Sequence, residues 1–346
     1  MSSTCCGCNN SATRPDSSLP ASPEPIAGTL GTQITWRDVL GGWKVRWGIG
    51  RMRYRIPPGL YCIGQPDANS PVLVTANYKL TVDKVRKELG GLNVWLLVLD
   101  TKGVNVWCAA GKGTFGTTEL MGRVQAANLK EVVKHRDLVL PQLGASGVAA
   151  HEVKRATGFT VHYGPVRAAD IKTYLAASLK ATPAMRRVTF NWKERIVLTP
   201  VEIVGGLKWT LAALVILAIL EVVRHHGVTW HLAVDIVPFV AAVLTGGLVV
   251  PVCLLFIPFR SFALKGAVAG ILLVIALLLL LPMGITEAIG VALLVLAITS
   301  YVAMMFTGST TFTTFAGAKL EVRYALPPIL ISAATGAVLR VVAALI

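Results

Sequence analysis

The chain has 346 residues, a formal net charge of +15 and 54% hydrophobic residues. Its mean hydropathy of +0.62 averages two unlike parts. Residues 1–206 hold 26 of the 33 Lys and Arg and 14 of the 18 Asp and Glu, whereas residues 207–346 are dominated by Leu, Val, Ile and Ala, which excludes a uniformly soluble chain.

Residues 1–32 are rich in Pro, Ser, Thr and Gly and read as a disordered tail without a signal peptide. Cys5 and Cys8 have chelating Cys-x-x-Cys spacing, and both a soft-metal catcher and a plain tail stay open. No second cysteine pair completes an iron–sulfur or structural zinc site. Lys44, Arg46, Arg51, Arg53 and Arg55 form the densest basic cluster, alternating with apolar residues. This pattern reads as a solvated strand face or a contact with anionic lipid, and nucleic-acid binding is not expected.

Residues 33–192 form the expected soluble domain, followed by a linker over 193–206. Strands are expected over 72–75, 93–99, 137–140 and 159–162. Helices are expected over 81–89, with Thr81 as N-cap, over 117–128 and over 168–179, with a short helix bracketed by Gly103 and Gly111. This alternation implies an α/β, Rossmann-like domain with parallel strand pairs. Ligands bind such sheets at the carboxyl ends of the strands. Thr75, residues 100–108 and the turn from Gly144 to Gly147 all fall there, so a large flat cofactor fits across that edge.

Cys108 lies on the short helix, in the run Asn105-Val106-Trp107-Cys108-Ala109-Ala110-Gly111-Lys112. A thiolate is both a soft metal ligand and a nucleophile, and the alternative is a small buried apolar residue. Asn105 can cap the helix or bond a neighbouring loop, and Ala109, Ala110 and Gly111 keep bulk low. Lys112 suits the negative end of the helix dipole. His151 and His162 read as structural.

Five apolar spans follow, over 207–223, 232–257, 262–282, 288–306 and 325–346. Each can cross a ~30 Å hydrocarbon core at ~1.5 Å per residue, giving an all-α transmembrane domain with five helices. Arg260, Lys265, Lys319 and Arg323 mark inner loops, so the soluble domain is expected in the cytoplasm and the first span is expected to act as the insertion signal. Glu221 and Asp235 fall near outer span ends, and His225, His226 and His231 in an outer loop. The polar run 307–314 falls on the inner side.

The eight residues from Asn105 to Lys112 resemble, at every position, the cap-helix motif of the HgcA family, membrane-bound corrinoid proteins of microbial mercury methylation. The segments 73–79, 140–144, 164–168 and 307–313 are similar to the same family, so the likeness runs over roughly residues 35–346. The resemblance implies that residues 33–192 bind a corrinoid (cobalamin) with Cys108 as the lower axial ligand of cobalt. Thr75, Asn105, Val106, Trp107, Ala109, Ala110, Gly111, Lys112, Gly144 and Gly147 would line the ring. It implies an enzyme, a corrinoid-dependent methyltransferase making methylmercury from Hg(II) in the inner (cytoplasmic) membrane under anaerobic conditions. A methyl donor of the folate, one-carbon pathway and a ferredoxin-like iron–sulfur partner of the HgcB type are implied with it. A thiolate donates more electron density than imidazole or water, which suits delivery of a methyl group as a carbanion equivalent to electrophilic Hg(II). In that setting Cys5 and Cys8 read as a flexible catcher of Hg(II). One alternative is a corrinoid methyl carrier of the acetyl-CoA pathway type, whose members carry their own cluster cysteines and lack both the cap cysteine and a membrane domain. The other is a non-enzymatic membrane sensor or transporter, although the spans show no internal repeat or polar pathway.

Overall fold

The computed structural model describes residues 26–207 and 230–345, with 211, 215, 218 and 219 between them. Cys5, Cys8, Glu221, His225, His226 and nearly all of the first expected span lie outside the described residues. The chain divides into two units, one built from residues 10–45 and 49–188 and the other mainly from 189–346.

The first unit is a mixed α/β sheet domain. Its elements are β1 (Gly28–Thr29), α1 (Trp36–Arg46), β2 (Gly59–Ile63), β3 (Val72–Ala76), α2 (Lys79–Glu88) and β4 (Val94–Leu99), then α3 (Val106–Lys112), α4 (Thr117–Ala126), α5 (Leu129–Val132), β5 (Asp137–Leu140), α6 (Ala150–Thr157), β6 (Thr160–Tyr163) and α7 (Ile171–Ala176). The sheet order is β1-β2-β4-β3-β5-β6. The strands β4, β3, β5 and β6 are mutually parallel, while β2 runs antiparallel to β4. Every residue of β3 and β4 is buried, as strands covered on both faces require. Val82 and Tyr174 bring α2 and α7 onto one face, packed with Leu73, Leu96 and Val98. Val106, Leu120, Leu129 and Val153 bring α3, α4, α5 and α6 onto the other, packed with Val74, Ala76, Leu97 and Leu99. The chain thus crosses on one face from β3 to β4 and on the other from β4 to β5. The strand order reverses beside β3, and the crevice between the ends of β3 and β5 is the switch point where such sheets hold ligands.

Several elements differ from the sequence expectation. Gly28 and Thr29, inside the segment read as a tail, pair with Tyr61 and Cys62 of β2. Helix α2 begins at Lys79, not at a Thr81 cap, because the Lys79 amide donates to the Tyr54 carbonyl and its ammonium pairs with Asp38 and Asp83. Arg51–Arg53 form a 3-10 turn and not a strand face. The expected helix over 117–128 breaks at Asn128, whose φ of 44° separates α4 from α5.

In the second unit, α8 (Trp192–Ile196) opens with a reciprocal cap between Asn191 and Glu194. It is followed by α9 (Trp230–Leu244), α10 (Phe262–Leu280), α11 (Ile285–Met305) and α12 (Phe315–Leu345). Among the described residues, three stretches, Phe262–Leu280, Ile285–Gly308 and Ala316–Ala343, are long and apolar enough to cross a membrane. The second expected span departs from one straight helix: after α9 a π-turn over Thr245–Val249 contains Gly246 and Gly247, and the chain leaves the helix after Val252. The last helix starts ten residues before the expected 325 and keeps Pro327 and Pro328 inside it. Helices α10 and α11 cross at Gly266 and Gly270, where any Cβ would strike Thr299. Helices α11 and α12 cross where Gly290 meets Gly336, and close backbone approach of this kind drives helix association in lipid. Glu321 of α12 accepts from Ser261 Oγ at 2.9 Å and the Ala263 amide at 2.8 Å, which caps α10, and from Thr307 Oγ1 at 3.2 Å. The hydroxyl of Thr307 in the 307–314 run is therefore bonded inside this unit.

Candidate functional site

The site is built from the loop after β4. Asn77, the first residue past β3, is 1% exposed and binds that loop from beneath. Its Oδ1 accepts from the Thr101 hydroxyl at 2.9 Å, the Gly103 amide at 3.0 Å and the Thr101 amide at 3.2 Å. Its amide nitrogen donates to Asp100 Oδ1 at 3.0 Å. The turn is tight, with Lys102 at φ 57° and Gly103 at φ 75°, conformations the Asn77 bonds hold in place. Burial alone would raise the Asp100 carboxyl, but hydrogen bonds from Lys102 and Asn77 outweigh it and hold the group below the usual carboxylate range. Asn77 escaped the sequence reading. Its signal was a polar residue directly after a strand with four apolar positions in five.

Helix α3 then starts on Asn105, whose Oδ1 accepts the Cys108 amide proton at 2.9 Å as an N-cap. It ends at Gly113, at φ 79°, so Gly111 lies inside the helix and does not bracket it. Val106, Ala109 and Ala110 face the core, Cys108 is partly buried, and Gly111 and Lys112 are exposed. Trp107 is 37% exposed. Cys108 forms no disulfide with another described residue. A Cβ at Gly111 would meet nothing within 4 Å, so the chain's own packing gives no reason for a residue that costs a helix interior about 0.5–1 kcal/mol relative to Ala.

The turn after β5 holds the helix from the other side of the switch point. Gly147 leaves no room for a Cβ against the Phe115 carbonyl and the Ala110 backbone, and Gly144 none against the Phe115 ring. Their small size serves the seating of α3 on this turn. Thr75 is 2% exposed, pairs in register with Val98, and so faces the α2 side of the sheet, opposite α3. Its buried hydroxyl has no hydrogen-bond partner among the described residues, a state that costs about 1–3 kcal/mol. The structure therefore brings Asn105–Lys112, Gly144 and Gly147 together, and Thr75 shares with them the carboxyl edge of the sheet. His162 bonds Asp137 at 2.8 Å on the β5–β6 pair, and His151 is exposed.

Residues fitting a flat macrocyclic cofactor are present at this edge: a thiol on a capped helix, an unobstructed glycine flank, an exposed indole and an unpartnered buried hydroxyl. Residues 51–175 match the family described as CO dehydrogenase/acetyl-CoA synthase delta subunit. The chain is 36% identical over 122 residues to the acetyl-CoA decarbonylase/synthase complex subunit gamma of Methanopyrus kandleri, covering 35% of this chain and 26% of the relative. It is 35% identical over 127 residues to the same subunit of Archaeoglobus fulgidus, covering 36% and 27%. It is 32% identical over 127 residues to the corrinoid/iron-sulfur protein large subunit of Moorella thermoacetica, covering 36% and 28%. The chain spans about a quarter of the length of these curated relatives, and the family match ends at residue 175, before the apolar helices. The part of the chain that carries the candidate site is thus similar to a corrinoid/iron-sulfur protein.

Proposed function

We propose that this chain is a membrane-anchored corrinoid protein that methylates Hg(II), with Cys108 as the lower ligand of cobalt. The observation that carries this reading is the placement of Cys108 on a capped helix at the switch point of a sheet whose sequence is similar to a corrinoid/iron-sulfur protein. A bound corrinoid would supply the methyl-transfer chemistry through its cobalt. The chain's own residues do the rest. Asn105 fixes the first turn of α3, Asn77 fixes the loop that launches it, and Gly144 and Gly147 seat it. Together they restrict where the Cys108 sulfur can stand. Gly111 and Trp107 would offer the ring an open backbone flank and an apolar face, and Thr75, on the opposite face of the sheet, keeps a hydroxyl without a partner among the described residues. The three long apolar helices among the described residues support a membrane location. Hg(II) is substrate in this reading, the folate-linked donor supplies methyl, and a ferredoxin-like protein is the reducing partner.

The relatives favour a second reading, a corrinoid methyl carrier of the acetyl-CoA pathway type. Anaerobic purification of the full chain followed by visible spectroscopy tests both. Corrin absorption that co-elutes with the protein supports either, and its absence after reconstitution with cobalamin contradicts both. Methylmercury formed from the methylated protein and Hg(II) selects the first. A methylated protein inert to Hg(II) selects the second.

A further inference from the structure

Helix α1 is bound to its domain by one face and presents a second, apolar face to the outside. On the inner face Gly42 and Val45 are buried, Gly41 abuts the Tyr54 ring, and Asp38 turns inward to pair with Lys79 and Arg86. On the outer face Trp36 is 69% exposed, Val39 51%, Leu40 46% and Trp43 59%. At ~100° per residue these four share an arc of about 100°. Exposed Trp47, Ile49 and Met52 continue the apolar surface past the helix end. Arg37 and Lys44 run along one border of the stripe, with exposed Arg51, Arg53 and Arg55 following. Asp38 is the one acid between residues 25 and 66, and its charge is spent on the inner face.

We propose that α1 is an in-plane anchor whose Trp and Leu face sits at the headgroup–acyl boundary of a bilayer containing anionic phospholipid. The proposal rests on the membrane reading given above and adds to it a contact made by the α/β unit itself. Three observations select lipid over a protein partner. Trp residues facing outward on an amphipathic helix prefer the interface, where an apolar ring can sit beside a wet nitrogen. Exposed cations line one border of the stripe and follow its end, where phosphates would lie, and their aliphatic stems extend the apolar surface. The six cations between residues 37 and 55 face no competing outward carboxylate from their own segment, which matches a negative surface.

The test places a photoreactive side chain on the stripe. The full-length chain carrying Trp43→p-benzoylphenylalanine is reconstituted into phosphatidylethanolamine vesicles with and without phosphatidylglycerol. Carbonate extraction first verifies insertion independently of α1, so that failure of the membrane reading shows separately. Irradiation is expected to put a phospholipid mass on the peptide holding residue 43, with several-fold more adduct when phosphatidylglycerol is present. Arg37→Glu with Lys44→Glu should lower that yield about tenfold while thermal unfolding stays at the wild-type temperature. An adduct to protein, whether a second copy, another segment of this chain or a different polypeptide, overturns the proposal. So does an inserted, folded chain that yields no lipid adduct.

Discussion

Two polar regions of the α/β unit are built to opposite ends. At the corner between α1 and α2, Asp38, Lys79, Asp83 and Arg86 form a closed network. Arg86 bonds Asp83 at 2.8 Å, Asp38 at 2.7 Å and the carbonyl of Gln33 at 2.7 Å, and Lys79 reaches both acids. Each carboxylate there has at least two cationic donors. At the carboxyl edge of the sheet, among the described residues, Thr75 keeps a buried hydroxyl without a partner, Gly111 occupies a helix interior with open space beside it, and Trp107 is 37% exposed. Satisfied groups hold a fold together. Groups left unsatisfied in an ordered place are the ones a ligand can complete. Under the proposed function the first region serves stability and the second binding, a contrast that can be broken from either side.

The largest effect is expected at the corner. Arg86→Ala takes one of two cationic donors from each carboxylate and the donor from the Gly31 and Gln33 carbonyls, which should cost about 3–5 kcal/mol in denaturant unfolding of the detergent-solubilised chain. Corrinoid bound per folded molecule should not change. A fall in corrinoid content among folded molecules would mean that the two regions are one.

Asn77→Ala sits between the regions in kind. It removes the acceptor of three donors in the 101–103 turn and should cost about 1–3 kcal/mol. It should also loosen corrinoid binding, because the turn launches α3. Loss of stability with corrinoid affinity intact would show that α3 holds its place without the turn.

Gly111→Ala sharpens the comparison by reversing its sign. The corrinoid-free chain should gain about 0.5–1 kcal/mol in stability and the affinity for cobalamin, read by absorption titration, should fall. An equal or higher affinity would remove Gly111 from the binding edge.

The smallest effect within reach of ordinary buffers is acid sensitivity. Burial would raise the Asp38 carboxyl, but bonds from Lys79, Thr35 and Arg86 outweigh it and hold the group well below the carboxylate range; Asp100 is also held below it. A carboxyl depressed in the folded state contributes stability above its unfolded value, about 3.9, and loses it as pH falls towards the folded value. Thermal unfolding should therefore be flat between about pH 5 and 7 with respect to these groups and decline below about pH 4. Asp38→Asn should flatten part of that decline.

The sequence made the central sheet legible because β4 is an unbroken apolar run of strand length and β3 is one but for Thr75, and helix α3 because an asparagine cap precedes it. Its end was misplaced by two residues, since Gly111 and Gly113 are equivalent in sequence and only φ separates them. Helix α1 went unread because Trp36, Leu40 and Trp43 do not point at a core. Strand β2 starts directly after Pro57 and Pro58 and pairs antiparallel to β4, which an alternation of strands and helices does not announce. At the site, Cys108 and Asn105 were visible from their run of eight residues. Asn77 was not, because its role depends on a turn 24–26 residues away. The glycines 144 and 147 were found for their position, yet they serve α3 by contact with Phe115 and Ala110, a pairing no local pattern contains.

Cys108 carries the central claim, and its replacement by His tests it most directly. Full-length Cys108→His, purified anaerobically and loaded with methylcobalamin, should retain corrinoid and show a shifted visible spectrum, while methylmercury formation from Hg(II) falls steeply, because imidazole ligates cobalt but donates less electron density than a thiolate. Wild-type turnover with an unchanged spectrum would contradict the account, since the sulfur would then touch neither the cobalt nor the reaction.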